Sequence, residues 1–244
     1  MNSILHIRPQ QAVYLGNFGL TTEHRHGALV LLLGLSGHFN VQLRGQTMVR
    51  CRSALIDAGT AHIVDCQSED MATLYFEVNS LQGRTLRANF LRNDAAVFDI
   101  ANLDQCHKGF EQRALNADLS ALIRYSLKAD INSYDRRVAS CIQLMQQKDE
   151  YPWRQDELSA RIGLSNSRLN HLFKQHTGIS FRHFSLWSRL AIFMRDVHNT
   201  RNITHSALNS GFSDSAHLSN SYKKIFGIRP SAILSGLKEF HLYS

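Results

Sequence analysis

The first third of the chain alternates short apolar stretches with polar residues and glycine-containing turns. Apolar residues occupy every second position in Phe39–Leu43 and Leu74–Val78, and a nearly unbroken apolar run covers Ala28–Leu35. Alternation is typical of half-buried strands, and a short continuous run is typical of a buried strand. Several short strands at this spacing predict an antiparallel β-sandwich or barrel.

The pattern changes after Leu81 to apolar residues spaced three and four positions apart, which is typical of amphipathic helices. It predicts helices at Leu81–Leu91 and Phe110–Leu127 and helical structure through the rest of the chain. We therefore expect an α+β protein. A strand-rich domain with some helices would occupy residues 1–130, and an all-α domain would occupy residues 131–244.

The composition supports two folded domains and excludes several other classes. Of the 244 residues, 43% are hydrophobic and 19% are charged, which suits a globular chain with buried cores. The longest apolar run is far shorter than the roughly 20 residues of a membrane-spanning helix, and no signal-peptide pattern opens the chain. We expect a cytoplasmic protein with no membrane partner. Its four cysteines are widely spaced and are expected to be reduced thiols: Cys51, Cys66, Cys106 and Cys141.

The net charge of +7 lies entirely in the second half of the chain. Residues 131–244 contain 15 Lys and Arg against 8 Asp and Glu, whereas residues 1–130 contain 12 of each. A positive excess confined to one domain favours a surface that meets phosphates, although a solvated basic face without a partner is the alternative.

This basic half contains an internal repeat. The segment Gly163-Leu164-Ser165 recurs as Gly211-Phe212-Ser213 at an offset of 48 residues, and Gly178-Ile179 recurs as Gly227-Ile228 at an offset of 49. Each copy has a short helix, a turn opened by glycine, a Ser or Asp cap and a second helix. One copy alone could be an ordinary helical hairpin, but two in register predict two helix-turn-helix motifs.

The second helix of each motif carries polar residues opposite its apolar face. Amide, hydroxyl, imidazole and guanidinium groups can read base edges in the major groove, and lysines near the helix ends can bind phosphate. The candidate DNA-binding residues are Asn166, Ser167, Arg168, Asn170, His171 and Lys174 in the first motif, and Asp214, Ser215, Ala216, His217, Asn220, Lys223 and Lys224 in the second.

The stretch from Asp156 to Ala232 resembles the AraC/XylS family of transcription regulators. The specific part is the second copy, with its Gly211-Phe212-Ser213-Asp214 opening and its Phe226-Gly227-Ile228-Arg229-Pro230 close. With Tyr134–Gln147 as the first helix, the resemblance covers about the last 110 residues. It implies a seven-helix domain in which a long helix around Ser180–Val197 joins two motifs that enter successive major grooves of double-stranded DNA.

The family's base-reading positions fall on Ser167, Asn170 and His171, and on Ser215, Ala216, His217 and Asn220. The sequence departs from the family where His171 and Asn220 occupy positions often held by Arg, which removes a bidentate contact to guanine. Arg168 could supply a guanine or phosphate contact instead. Ser159 and Ser206 replace small or apolar residues, so their burial costs stability unless each hydroxyl bonds back to a carbonyl of its helix.

The first half has a weaker resemblance to cupin domains. His24 and His26, with the later His62, fall about where cupins place pocket residues. Metal-binding cupins add a Glu shortly after the His-x-His pair, and Val30–Leu33 take that place here. We therefore expect these histidines to be structural or to contact a small-molecule effector, with no metal and no cofactor.

The function most consistent with these features is a sequence-specific transcription regulator, specifically an activator, with an effector-sensing or dimerisation domain. RNA polymerase and a second copy of the chain are its expected protein partners. The apolar stripe Leu115, Leu119, Leu122 and Ile123 either dimerises or covers a sheet edge. The main alternative is a metal-dependent cupin enzyme with a helical appendage; because no acid/base pair or nucleophile supports it, we expect no enzymatic activity. A regulator without an effector is the third possibility.

Overall fold

The computed structural model describes residues 3–35, 37–100, 134–146 and 153–243, and its chain divides into two compact units. The first unit combines Met1–Ile131 with Tyr222–Ser244, and the second comprises Asn132–Ser221. The C-terminal residues therefore fold with the N-terminal strands. The predicted helix at Phe110–Leu127, with the Leu115, Leu119, Leu122 and Ile123 stripe, lies outside the described residues, as does Cys106.

The described part of the first unit contains ten strands in two sheets. In chain order they are β1 (Ser3–Arg8), β2 (Gln11–Gly16), β3 (Ala28–Gly34), β4 (Phe39–Leu43), β5 (Val49–Cys51), β6 (Ser53–Ile56), β7 (His62–Asp65), β8 (Met71–Glu77), β9 (Ala96–Phe98) and β10 (Leu237–Leu242). The larger sheet has the order β10-β1-β2-β8-β3-β6-β9, and the smaller has the order β5-β4-β7. Neighbouring strands are antiparallel except β1 and β10, which are parallel.

The core of this unit lies between the two sheets. All seven residues of β3, which lies between β6 and β8 in the larger sheet, are buried. Val30 and Leu32 of β3 pack with Phe39 and Val41 of the smaller sheet in one apolar cluster. This sandwich confirms the strand-rich prediction for the first half of the chain.

Two short helical segments follow β8. Helix α1 (Leu81–Leu86) begins at Ser80, whose Oγ accepts a hydrogen bond from the Gly83 backbone N–H at 2.9 Å. A π-helical turn at Arg87–Leu91 continues it. These segments confirm the helix predicted at Leu81–Leu91.

The remaining described residues form seven helices. They are α2 (Arg136–Gln146), α3 (Gln155–Arg161), α4 (Asn166–Thr177), α5 (Phe181–Thr200), α6 (Ile203–Asn209), α7 (Ser215–Phe226) and α8 (Pro230–Leu234). The long helix predicted near Ser180–Val197 is α5, which Ser180 caps through a hydrogen bond from the His183 N–H to its Oγ at 3.2 Å. None of the helices in these described ranges is both long enough and apolar enough to cross a membrane.

The C-terminal strand β10 differs from the helical structure expected there. Its six residues pair in parallel with β1, whose edge would otherwise be unpaired. The Tyr243 hydroxyl lies 2.8 Å from Nδ1 of the buried His6, and the guanidinium of Arg8 lies 4.4 Å from the centre of the Tyr243 ring. The strand depends on this long-range pairing, which its mixed polar sequence did not reveal.

Three of the four cysteines are described, and all three are buried free thiols: Cys51, Cys66 and Cys141. Burial raises the pKa of each of these thiols to about 12, with Asp99 adding to the effect at Cys51. They are protonated at neutral pH and behave as small apolar side chains.

Candidate nucleic-acid interface and histidine cluster

The first helix-turn-helix motif consists of α3, a turn through Gly163 and α4. Gly163 has φ of +68°, a conformation that glycine adopts without steric cost. Ser165 caps α4, because its Oγ accepts a hydrogen bond from the Arg168 N–H at 3.2 Å. Leu169 and Phe173 are fully buried, which leaves the opposite face of α4 in solvent.

All six residues predicted on α4 are exposed: Asn166, Ser167, Arg168, Asn170, His171 and Lys174. Asn166 differs from the rest, because its Oδ1 lies 2.6 Å from the Oγ of buried Ser159 on α3. The same Ser159 hydroxyl lies 3.0 Å from the carbonyl oxygen of Asp156. This is the bond to a carbonyl of the same helix that was expected to offset the cost of burying Ser159. Asn166 therefore ties α4 to α3, and it is a positioning residue in this geometry.

The second motif consists of α6, a turn through Gly211 and α7. Asp214 caps α7: its Oδ1 accepts from the His217 N–H at 2.7 Å, and its Oδ2 accepts from the Ser213 hydroxyl at 2.9 Å. The bond from the His217 N–H, followed by the Ser213 bond, lowers the pKa of the Asp214 carboxyl. An ionised carboxylate at a helix N-terminus stabilises the helix, so Asp214 positions α7.

His217 has a fixed ring orientation. Its Nδ1 accepts from the Ser213 N–H at 3.3 Å, and its ring meets the Phe212 ring edge-on at 5.4 Å. With Nδ1 as an acceptor, the proton of a neutral imidazole lies on Nε2. Because the residue is exposed, this N–H is available to an acceptor on a base edge.

The other residues predicted on α7 are also exposed: Ser215, Ala216, Asn220, Lys223 and Lys224. Neither α4 nor α7 contains an Asp or Glu. Within the described residues, the side-chain amides of Asn170 and Asn220 have no hydrogen-bond partner in the protein. Both helices thus present donors, acceptors and positive charge, and the capping carboxylate of Asp214 lies just before the first residue of α7.

Buried Ser206, on α6, has its Oγ 2.7 Å from the Thr200 hydroxyl rather than against a carbonyl.

A second group of sequence-predicted residues forms a buried histidine cluster, which comprises His24, His26 and His62. Their exposed fractions are 3%, 4% and 1%. His24 and His62 face each other across an isolated antiparallel bridge, in which each backbone N–H donates to the other's carbonyl at 3.0 Å. Their ring centres are 4.3 Å apart.

The backbone also fixes the proton positions on two of these rings. Nδ1 of His24 lies 2.9 Å from the Thr22 carbonyl oxygen, and Nδ1 of His62 lies 2.9 Å from that of Thr60. A carbonyl accepts only, so each Nδ1 carries the proton and each Nε2 carries a lone pair. Burial lowers the pKa of His24 to about 3, with repulsion from His62 adding to it, and burial lowers the pKa of His62 to about 4. Both imidazoles are neutral at pH 7.

The residues after α7 lie against this cluster. The Thr22 backbone N–H and Oγ1 both donate to the Gly227 carbonyl at 3.0 Å, and the Phe226 ring centre lies 5.6 Å from that of His26. The repeat accounts for Gly227, but no local sequence pattern singles out Thr22. The two residues meet although they are 205 positions apart in the chain.

A protein-family model described as a helix-turn-helix domain matches residues 158–235. Residues 158–235 are an AraC-type helix-turn-helix domain. Domains of this type bind DNA in transcription regulators. It spans the first motif from Leu158 onwards, the whole second motif and the Gly227 turn that closes α7.

The HTH-type transcriptional regulator ArgR of Pseudomonas aeruginosa is 28% identical over 108 residues. The alignment covers 44% of this chain and 33% of that protein, so it spans about a third of the relative's length.

Two solved structures extend the likeness beyond the AraC-type domain. An apo point variant of ToxT from Vibrio cholerae superposes with a TM-score of 0.62 at 14% identity, over 94% of this chain and 98% of that one. Wild-type ToxT bound to an unsaturated fatty acid gives a TM-score of 0.52 at 12% identity, over 98% of each chain. At this identity the likeness establishes the fold: a strand-rich domain followed by the AraC-type domain.

Proposed function

We propose that the protein is a sequence-specific transcription regulator that inserts α4 and α7 into successive major grooves of double-stranded DNA. The observation that carries the proposal is the shared construction of these helices. Each has one face buried and an opposite face that is polar, basic and free of carboxylates. A helix of this kind matches the major groove in shape and the phosphates in charge.

Within this proposal the exposed side chains divide into three roles. Asn170 and Asn220 read bases, since a free amide pairs well with adenine. Ser167, His171, Ser215, Ala216 and His217 make the remaining base or groove contacts. Arg168, Lys174, Lys223 and Lys224 neutralise phosphates, while Asn166 and Asp214 hold their helices in place.

We further propose that the regulator is an activator that works with RNA polymerase in the cytoplasm, and that a second copy strengthens DNA binding through effective concentration. We propose a small-molecule effector site in the first unit, at the histidine cluster. Two features support an effector: ToxT, which shares the fold, has been solved with a fatty acid, and the cluster lies against the end of α7.

The test uses the full chain, because Tyr222–Ser244 folds with the first unit. Binding sites are selected from random duplex DNA, and dissociation constants for the selected and scrambled sites are measured over a range of salt concentrations. We expect at least about 10³-fold preference for the selected site and a steep fall in affinity with salt, about 0.9 in log–log slope per neutralised phosphate. Equal affinities, or no salt dependence, would overturn the proposal.

Transcription from a promoter containing the selected site tests the activator role. Adding the protein to RNA polymerase should raise the transcript yield, and a fall in yield would contradict activation. Sedimentation of the protein with and without DNA reports whether one or two copies bind.

A further inference from the structure

We infer that His24, His26 and His62 form a binding site for one divalent transition-metal ion, and that occupancy of this site controls the DNA affinity of α7. The metal site stands on the cluster's own geometry. Its effect on DNA rests on the function proposed above and names the chemical class of the effector.

The strongest support for a metal is the orientation of the rings. His24 and His62 each donate to a backbone carbonyl through Nδ1, so each carries its lone pair on Nε2; that of His24 accepts a hydrogen bond from the Nε2–H of His26 at 3.1 Å, and an incoming ion would displace this proton. Metal-ligating histidines show this arrangement, in which the second nitrogen donates to a carbonyl and fixes the tautomer. Nε2 of His62 is buried and has no hydrogen-bond partner among the described residues.

The distances also suit a small ion. Nε2 of His24 lies 3.1 Å from Nε2 of His26, and one ring nitrogen from each of the three residues can be chosen so that all lie within 4.8 Å of one another. Tetrahedral coordination with metal–nitrogen bonds of about 2.0–2.1 Å places its nitrogens about 3.4 Å apart. The three rings therefore need only a small inward adjustment to supply three of the four positions.

The donor set indicates which ions bind. As far as the described residues go, the cluster contains three imidazoles and no carboxylate or thiolate. Imidazole donors suit Zn²⁺, Co²⁺, Ni²⁺ and Cu²⁺, whereas Mg²⁺ and Ca²⁺ prefer oxygen. Three imidazoles leave one of the four tetrahedral positions open.

The link to α7 passes through Thr22. Its carbonyl accepts from Nδ1 of His24, while its N–H and Oγ1 donate to the Gly227 carbonyl. Gly227 ends α7 by donating its N–H to the Lys223 carbonyl at 2.8 Å. A Cβ on Gly227 would lie 2.6 Å from Nδ1 of His24, so the backbone after α7 approaches the cluster closely.

An aromatic contact provides a second link. The ring centre of Phe226, the last residue of α7, lies 5.6 Å from that of His26 and 5.8 Å from that of Tyr75. An ion that draws the three imidazoles together fixes the surfaces against which Phe226 and Gly227 pack. Ordering α7 before it meets DNA reduces the entropy lost on binding, so the metal-loaded form should bind DNA more tightly.

The metal site is tested with the full chain after chelator treatment. Titration with Co²⁺, followed by calorimetry and by the visible absorption of tetrahedral Co²⁺, should give one ion per chain. His62→Gln should weaken Co²⁺ binding by about tenfold to a hundredfold. His38→Gln, which removes an exposed histidine of the same unit, should leave binding unchanged. Absence of binding, or equal binding by the wild type and His62→Gln, would overturn the site.

X-ray absorption of the Zn²⁺-loaded wild type avoids any problem of variant folding. Three imidazole nitrogens at about 2.0–2.1 Å are expected. A shell made only of oxygen or sulfur would overturn the site.

The regulatory step is tested on the selected DNA, with Zn²⁺ and with chelator. We expect Zn²⁺ to tighten DNA binding at least about fivefold, and DNA to tighten Zn²⁺ binding by the same factor. Phe226→Leu should retain Zn²⁺ binding while reducing this coupling. Equal DNA affinity in the two forms would overturn the control of α7, and weaker binding with Zn²⁺ would overturn its direction. If neither form binds any DNA, the proposed function fails, while the Co²⁺ titration still reports on the metal site.

Discussion

The two helix-turn-helix motifs are built alike but are anchored differently. Phe173 of α4 packs against Phe181 and Phe184 of α5, with ring centres 5.7 and 5.2 Å away, so α4 is held within the second unit. The last turn of α7 belongs to the first unit, where Phe226 meets Tyr75 and His26.

The two copies of the repeat therefore differ in what holds them in place. The second helix of the first motif packs on residues close to it in sequence. The second helix of the second motif packs, through its last turn, on residues more than 140 positions away, so a structural change in the first unit would act on this helix directly. Four predictions test this comparison.

The largest effect is expected from two matched glycine substitutions. Gly227→Ala should lower the free energy of unfolding by about 2–5 kcal/mol, because it combines an unfavourable left-handed residue with overpacking against the Thr22 carbonyl and Thr21. Gly163→Ala, in the first motif, has a similar φ but open space around its Cβ, and should cost about 1–2 kcal/mol. Urea denaturation followed by circular dichroism measures both, and equal losses would contradict the close approach at Gly227.

Base reading by the two motifs is compared with Asn170→Ala and Asn220→Ala. Each should reduce discrimination between the selected site and a single-base variant by about 1–3 kcal/mol, or roughly 5- to 150-fold. The two variants should lose discrimination at different base pairs, as measured by competition binding. Asn93→Ala removes an exposed amide of the first unit and should have no effect. If Asn220→Ala leaves specificity intact, α7 does not read bases through this residue.

Phosphate binding is compared with Lys174→Ala and Lys223→Ala. Each should weaken binding to all sites alike, by about fivefold, and should reduce the salt-dependence slope by about 0.9. Arg50→Ala, which removes an exposed positive charge from β5, is the matched control and should leave the slope unchanged. A change confined to one DNA sequence would contradict the assigned role of either lysine.

The smallest effect concerns pH and the C-terminal strand β10 of the first unit. Burial lowers the pKa of His6 to about 4, with repulsion from His241 and Arg8 adding to it and Glu239 opposing it. An unfolded histidine has a pKa near 6.5, so the stability from neutral His6 is complete above that pH and is lost as the pH falls towards 4. We expect a loss on the order of 1 kcal/mol after allowing for solvent screening at this sheet edge.

Urea midpoints at pH 7 and pH 4.5 measure this loss. His6→Gln should show a smaller decrease than the wild type, since it removes the titrating group. An identical pH dependence of the two proteins would contradict a role for His6 in holding β10.

Much of the exposed polar surface of α4 and α7 follows from local pattern. The 48- and 49-residue offsets located both motifs, and burial of Leu169 and Phe173 follows from their helical spacing. The roles of Asn166 and Asp214 were less accessible. A polar residue on an exposed face looks the same in sequence whether it reads a base or, like these two, bonds within its own turn.

Local pattern along the chain was enough to predict the change from strands to helices, the two recognition helices and the three histidines worth examining, because periodicity, glycine turns and caps act over a few residues. Folding in three dimensions added that Leu237–Leu242 is a strand beside β1, that His24, His26 and His62 converge, and that Thr22 holds Gly227. These features depend on pairings between residues up to 237 positions apart, such as His6 with Tyr243. No local pattern encodes such pairings, since each strand becomes favourable only when its partner is already in place.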